Sequence, residues 1–256
     1  MRVNLYGKSM VQQAIAILQD PASLPPEGYY AAYSGGKDSE VVLHLAKLAG
    51  VPYDAHYNVC PDPPELMRFI RQVHPEIPWN RDEHTFYWYL ERKPLPTFRL
   101  RWCCEKFKHR SGKGRTVLTG IRAEESPRRA KRGIVHDCLL SPGKRFVNPI
   151  FHWKEAEVWE FIRAEGLPYC SVYDEGWRRL GCVPCPFERR VAQSMARWPR
   201  IWENCRRAWF RGWPNQSQSM VEDFGTAEAA WNWWLSRKPY PEVNWEQESL
   251  EPALFV

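Results

Sequence analysis

No apolar run in the 256 residues approaches the ~20 needed to span a bilayer. The first 20 residues also lack the apolar block and small-residue cleavage site of a secretory signal. These absences predict a soluble, cytoplasmic protein with no membrane partner. In that compartment the eight cysteines are metal ligands, catalytic thiols or core residues rather than disulfides. No internal repeat is visible. What the chain does have is aromatic mass and uneven charge. Fourteen Trp and a net charge of +6 suit either a large core or stacking on nucleic-acid bases. Residues 92–132 hold 14 Lys and Arg against Glu105, Glu124 and Glu125, whereas residues 220–256 hold seven acids against Arg237 and Lys238. A basic middle of this kind suggests a polyanion surface, with a solvated face as the plain alternative.

The most informative stretch is Ala31–Glu40. An apolar run, Tyr29–Tyr33, reads as a strand and meets Ser34-Gly35-Gly36-Lys37-Asp38-Ser39. A helical pattern follows at once, with Val41, Val42, Leu45, Leu48 and Ala49 on one face and Gly50 as its stop. Strand, glycine turn and helix build a phosphate cradle. The glycines let the backbone turn and bring bare N–H groups to an anion, and the helix dipole adds about half a positive charge. Lys37 and the two serine hydroxyls stand beside it. This is not a Walker A loop, which would need Gly at 31 and Ser or Thr at 38, where the chain has Ala31 and Asp38.

Tyr53–Val59 alternates as a second strand, followed by the loop Cys60–Glu65 and a helix near 65–73. That is a βαβ unit, with ligands expected at the C-terminal strand ends. Further strands are expected at Thr116–Gly120 and Phe146–Ile150. Helices are expected at 9–19, 85–92, 152–163 (Ala156, Trp159 and Ile162 inward), 187–210 and 226–236, and an extended tail at 239–256. The reading is an α/β nucleotide-binding domain over 1–168 with a parallel, Rossmann-like sheet, then a mostly helical extension over 169–256 that carries a Cys-x-x-Cys loop and a Trp/Arg-rich stretch. In residues 197–213, arginines and tryptophans could grip a nucleic-acid strand, or the tryptophans could pack inward and leave the arginines in water.

Four cysteines form two pairs 77 residues apart, Cys103-Cys104 and Cys182-x-x-Cys185. They could close a tetrahedral zinc site or act as a redox dithiol. Adjacent side chains diverge in helix and strand alike, so both thiolates reach one small ion only with strain. A 4Fe–4S cluster offers each thiolate its own iron and is the favoured reading. Asp38 and Asp62 are candidate Mg²⁺ ligands, with helix capping the other reading of Asp38.

Ser34–Ser39 after a strand resembles the PP-loop of the ATP pyrophosphatase superfamily. Trp102-Cys103-Cys104-Glu105 and Gly181-Cys182-x-x-Cys185-Pro186 resemble the cluster ligands of the phosphoadenylyl-sulfate (PAPS) and adenylyl-sulfate (APS) reductase family. Gly120-Ile121-Arg122-x-x-Glu125-Ser126-Pro127-x-Arg129-Ala130 resembles its arginine-bearing substrate motif. The likeness spans roughly residues 28–190. It implies an adenine nucleotide hydrolase-like α/β fold and a 4Fe–4S centre on Cys103, Cys104, Cys182 and Cys185. It also implies a nucleotide (ATP, or APS or PAPS) held by Ser34–Ser39, Gly120, Arg122, Glu125, Ser126 and Arg129, with Lys37, Asp38, Arg122 and Arg129 in the chemistry. One departure bears on the reaction. The reductases carry a catalytic cysteine in a C-terminal Glu-Cys-Gly-x-His segment, and the last cysteine here, Cys205, lies in Glu203-Asn204-Cys205-Arg206. The resemblance then points to the ATP pyrophosphatase branch, which includes the component of DNA phosphorothioation systems. There ATP activates an oxygen for replacement by sulfur, with a nucleic acid acceptor and a sulfur-donor protein as partners. The alternatives are a sulfonucleotide reductase whose thiol is Cys205, Cys60 or a partner such as thioredoxin, and a nucleotide-binding module without catalysis.

Overall fold

The computed structural model describes residues 9–109, 111–139 and 141–240; residues 241–256 of the expected tail lie outside them. By their internal packing these residues form two compact units that interleave along the chain. One comprises the described residues to Asn80 together with His109–Gly181, and the other comprises Arg81–Lys108 with the described residues from Cys182 on. The single boundary expected near residue 168 is therefore not where the chain divides. Residues 81–108 fold with the later segment, and residues 169–181 fold with the sheet.

The first unit is built on six strands among the described residues: β1 (Tyr29–Tyr33), β2 (Tyr53–Asn58), β3 (Trp79–Asn80), β4 (Thr116–Leu118), β5 (Val135–Asp137) and β6 (Arg145–Val147). They run in the order β3-β2-β1-β4-β6-β5. Pairing is parallel except at the edge, where β5 lies antiparallel to β6. β1 is central, flanked by β2 and β4, and its Tyr29, Tyr30, Ala31 and Tyr33 are buried. That explains a strand written as a continuous apolar run rather than an alternation. The chain leaves β1 toward β2 and returns on its other side through β4. The gap beyond their C-terminal ends is thus a topological switch point, where open α/β sheets take their ligands.

Helices α1 (Met10–Gln19), α2 (Lys37–Ala49), α3 (Pro64–Val73), α6 (Pro127–Ala130) and α7 (Glu155–Ala164) belong to this unit. Ser9 closes a capping box on α1 with Gln12, and Gly50, at φ 66°, ends α2 in the left-handed conformation. Both α1 and α7 pack on α2. α7 buries Val158, Phe161 and Ile162; of the expected inward face of Ala156, Trp159 and Ile162, only Ile162 is buried. The fourth expected strand ends at Val147, and the chain turns over Asn148–Ile150.

The second unit holds α4 (Phe86–Leu90), α5 (Trp102–Cys104), α8 (Val191–Arg197), α9 (Pro199–Gly212), α10 (Gln218–Phe224) and α11 (Ala227–Ser236). The single helix expected over 187–210 is broken at Trp198, because Pro199 has no N–H to give and can only open a new helix. α9 packs against α4 and α11 with Trp202, Cys205, Ala208 and Trp209 buried. Two of its four arginines form close pairs, Arg207 to Glu203 at 2.7 Å and Arg211 to Glu91 at 2.6 Å. Trp202 and Trp209 are therefore core residues, unavailable for stacking on bases. Among the described residues no helix is long and apolar enough to cross a membrane.

Candidate functional site

Between β1 and α2 the chain turns at Gly35, whose φ of +71° is open to glycine at little cost. A Cβ there would also stand 2.8 Å from Ile70 and Leu66 of α3. Gly36, at φ −79°, N-caps the helix; a Cβ on it would meet only the Ser34 Oγ and Tyr173 hydroxyl, both at 3.4 Å. The conformational demand thus falls on the first glycine. The two hydroxyls brace the turn: Ser39 Oγ donates to the Gly36 carbonyl at 2.7 Å and lies 3.2 Å from Ser34 Oγ.

Lys37 opens α2 with a side chain only 2% exposed. A buried ammonium needs partners. Lys37 Nζ donates to Asp38 Oδ2 at 3.0 Å and to the Arg178 carbonyl at 3.4 Å, with Glu155 Oε1 at 3.9 Å. The other Asp38 oxygen accepts from Arg122 Nε at 2.7 Å, across 84 residues of sequence. Arg122 leaves the end of β4 through Gly120, where a Cβ would lie 2.9 Å from the Asp38 backbone; the absence of a side chain lets the two loops meet. The Arg122 guanidinium also donates to Glu124 at 2.8 Å and to the Trp153 carbonyl at 3.4 Å. Its pKa is raised: burial opposes the charge, and Asp38, Glu125 and Glu124 outweigh that.

Lys37, Asp38, Gly120 and Arg122 are therefore brought together at the switch point, two cations sharing one carboxylate. Glu125 accepts from the Arg122 N–H at 2.9 Å and pairs with Arg129 on α6, whose N-cap is Ser126. Arg129 thus reaches Arg122 through Glu125, pairing with that carboxylate rather than with a residue of the 34–39 loop. Asp62 accepts from the Tyr57 hydroxyl at 2.7 Å. Sequence reasoning missed Glu155 and the segment Ser171–Arg178. The latter supplies the Tyr173 hydroxyl to the Lys37 N–H, 3.0 Å away, and a carbonyl to its ammonium. An irregular stretch leaves no periodic pattern by which to find it.

In the second unit, Cys103 and Cys104 end α5, ahead of a π-type turn at Glu105–His109, and Cys182 and Cys185 lie on a loop. The four are free thiols, and Cys103, Cys104 and Cys185 are shifted from the ordinary thiol range. Cys103 is pushed up by its hydrogen bond to Cys104, then by burial, Cys104, Cys182 and Cys185. Cys185 is pushed up to about 11 by burial and then by Cys182, with Cys104 adding to it. Cys104 is lowered by the Cys103 hydrogen bond, against burial and with help from Lys108 and Arg101. Arg237 braces the loop, donating to the Cys185 carbonyl at 2.9 Å and the Glu188 carbonyl at 3.3 Å. All four cysteines lie within this unit. Among the described residues no three His, Cys, Asp or Glu form a group able to hold a single metal ion.

Comparison with known proteins bears on the family and the fold. The chain is 26% identical to an uncharacterized protein of Methanocaldococcus jannaschii over 87% of this chain and 49% of that protein. It is 34% identical to the adenosine 5'-phosphosulfate reductase of Allochromatium vinosum over 34% of each. The chain thus spans between a third and a half of the length of these two relatives. Among solved structures, the phosphoadenylyl-sulfate reductase of Candida auris in its phosphate complex superposes with a TM-score of 0.52 at 17% identity, covering 71% of this chain and 96% of that one, a likeness of fold. Residues 28–188, more than half of the sequence, match the phosphoadenosine phosphosulfate reductase domain, and the chain belongs to that family.

Proposed function

We propose that the protein is an ATP-using PP-loop enzyme that releases pyrophosphate and activates an acceptor oxygen for sulfur transfer, with a nucleic acid as the acceptor class. The observation that carries this is the Lys37–Asp38–Arg122 bridge, which sets two cations beside the α2 N-terminus at the switch point. In an adenylation the acceptor oxygen attacks the α-phosphorus and the bond to the β-phosphate oxygen breaks. Charge builds on the departing pyrophosphate, where an ammonium, a guanidinium and a helix N-terminus are worth most. Arg122 already gives Nε to Asp38 and Nη1 to Glu124 and the Trp153 carbonyl, so it grips a phosphate with two N–H groups only by exchanging one of these contacts.

A sulfonucleotide reductase would need an accessible thiolate. Cys205 is 0% exposed and burial pushes its thiol up; Cys60 and Cys170 are buried as well. Outside the four clustered thiols that leaves the half-buried Cys138, so such a reaction would draw on it or on a thiol from a partner. The four remaining thiols of the second unit suit a 4Fe–4S cluster better than zinc, because adjacent cysteines diverge and a cluster offers each its own iron. Cys103, Cys104, Cys182 and Cys185 would hold it. When bound it would staple the loop to α5 and place a polynuclear charge beside Lys108 and Arg101. Mg²⁺ fits less well at Asp38, because both of its oxygens are already given to cations. Protein purified without oxygen, incubated with ATP and separately with APS or PAPS plus thioredoxin, tests the reading. Pyrophosphate from ATP supports it, and sulfite from either sulfonucleotide replaces it with the reductase.

A further inference from the structure

Helix geometry leaves the N–H groups of a first turn without intrahelical acceptors, and in a phosphate loop these groups meet the anion. Here the Lys37 N–H already has an acceptor, the Tyr173 hydroxyl at 3.0 Å, brought from 136 residues away. The phenol is built into this position. Tyr173 is 9% exposed, its ring lies 5.6 Å from the Lys37 ammonium, and its other side packs edge-on against Trp159 at 5.3 Å. From the same segment the Arg178 carbonyl takes a hydrogen bond from that ammonium at 3.4 Å. Residues 171–178 therefore engage both the main-chain donor and the side-chain cation of the loop. A phenol oxygen and a phosphoryl oxygen cannot both occupy the end of one N–H.

We propose that Tyr173 is a self-ligand of the phosphate loop, its hydroxyl oxygen standing where a phosphoryl oxygen of the nucleotide binds. The proposal rests on the reading of Ser34–Ser39 as a phosphate site and adds a competitor to it. A buried N–H left unpaired is costly, so the tyrosine keeps the loop satisfied when no anion is bound. The same contact must break before phosphate docks, and the apparent affinity falls by the fraction of molecules in which it is open. The segment 171–178 then acts as an inner gate, and a weak or truncated ligand fails to open it.

Tyr173→Phe tests this, because it removes the acceptor and keeps the ring against Trp159. The full chain, purified without oxygen, is titrated with inorganic pyrophosphate and with ATP by calorimetry, and thermal melts verify folding. The variant should bind pyrophosphate about 3- to 10-fold more tightly than the wild type. It should also show a larger rise in melting temperature at saturating pyrophosphate, since its ligand-free state has lost a hydrogen bond. Equal affinity overturns the proposal, and weaker binding overturns it in favour of a hydroxyl that donates to the bound phosphate. If wild type and variant both fail to bind pyrophosphate and ATP, the phosphate-site reading itself is wrong, a result distinct from equal affinities. Should Tyr173→Phe melt early, Tyr173→Met removes the same acceptor in a more adaptable side chain, and the same gain in affinity is required of it.

Discussion

Replacing Lys37 by methionine separates the fold from the phosphate chemistry. The Lys37 stem is buried, so methionine keeps its packing while the ammonium goes. Three interactions leave with it: the 3.0 Å bond to Asp38, the 3.4 Å bond to the Arg178 carbonyl and the 3.9 Å approach of Glu155. Asp38 is not orphaned, since Arg122 still donates to it at 2.7 Å. Exchanging a buried charge for an apolar side chain of similar shape, with its partner still satisfied, is close to neutral for stability. The unfolding free energy should therefore change by about 1 kcal/mol or less. Ligand affinity should respond very differently. A charge-assisted bond to phosphate contributes about 1.5–3 kcal/mol, which corresponds to roughly a 10- to 100-fold weaker Kd. Urea titration gives the first quantity, and calorimetry with ATP and with pyrophosphate gives the second. A Lys37→Met protein that folds normally and binds either ligand within about threefold of the wild type would remove Lys37 from the site and refute the cradle.

Gly35→Ala should destabilise the protein by about 2–4 kcal/mol in urea titrations, from left-handed strain and from the clash with Ile70 and Leu66. Gly36→Ala, with φ already negative and contacts no closer than 3.4 Å, should cost far less; equal losses would contradict the assignment of the turn. His74 donates to Glu40, which is buried at 3.0 Å from it, and that bond above all raises the imidazole pKa over 6.5, with burial opposing. The stabilisation is therefore full below the unfolded pKa and fades as pH rises through the raised one. Wild-type stability relative to His74→Gln should fall between about pH 6 and pH 8, and a pH-independent difference would exclude His74 as the group. Serine at Cys103, Cys104, Cys182 or Cys185 should abolish iron content and brown colour in anaerobic preparations, whereas Cys138→Ser should leave both unchanged. Stoichiometric zinc in a colourless wild type would rule out the cluster.

The sequence by itself determined whatever is made of neighbours. β1, the glycine turn and the start of α2 are contiguous, and their chemistry is local: an apolar run, a residue free to take φ +71° and a helical repeat closed by Gly50. The strand, the turn and the helix could be read there without the fold, and so could the spacing of the cysteine pairs. β3 and β5, of two and three residues, are too short to show a period of two, and they exist because a neighbouring strand offers its edge. The Trp/Arg stretch was undecidable from its letters, because burial of Trp202 and Trp209 depends on α4 and α11 being laid against α9. Only the tertiary structure decided that Arg122 meets Asp38 and Tyr173 meets Lys37, pairs 84 and 136 residues apart. The first of these meetings follows from the strand order, which sends the ends of β1 and β4 to one edge of the sheet. Strand order is a property of how whole elements pack, and no local run of side chains encodes it.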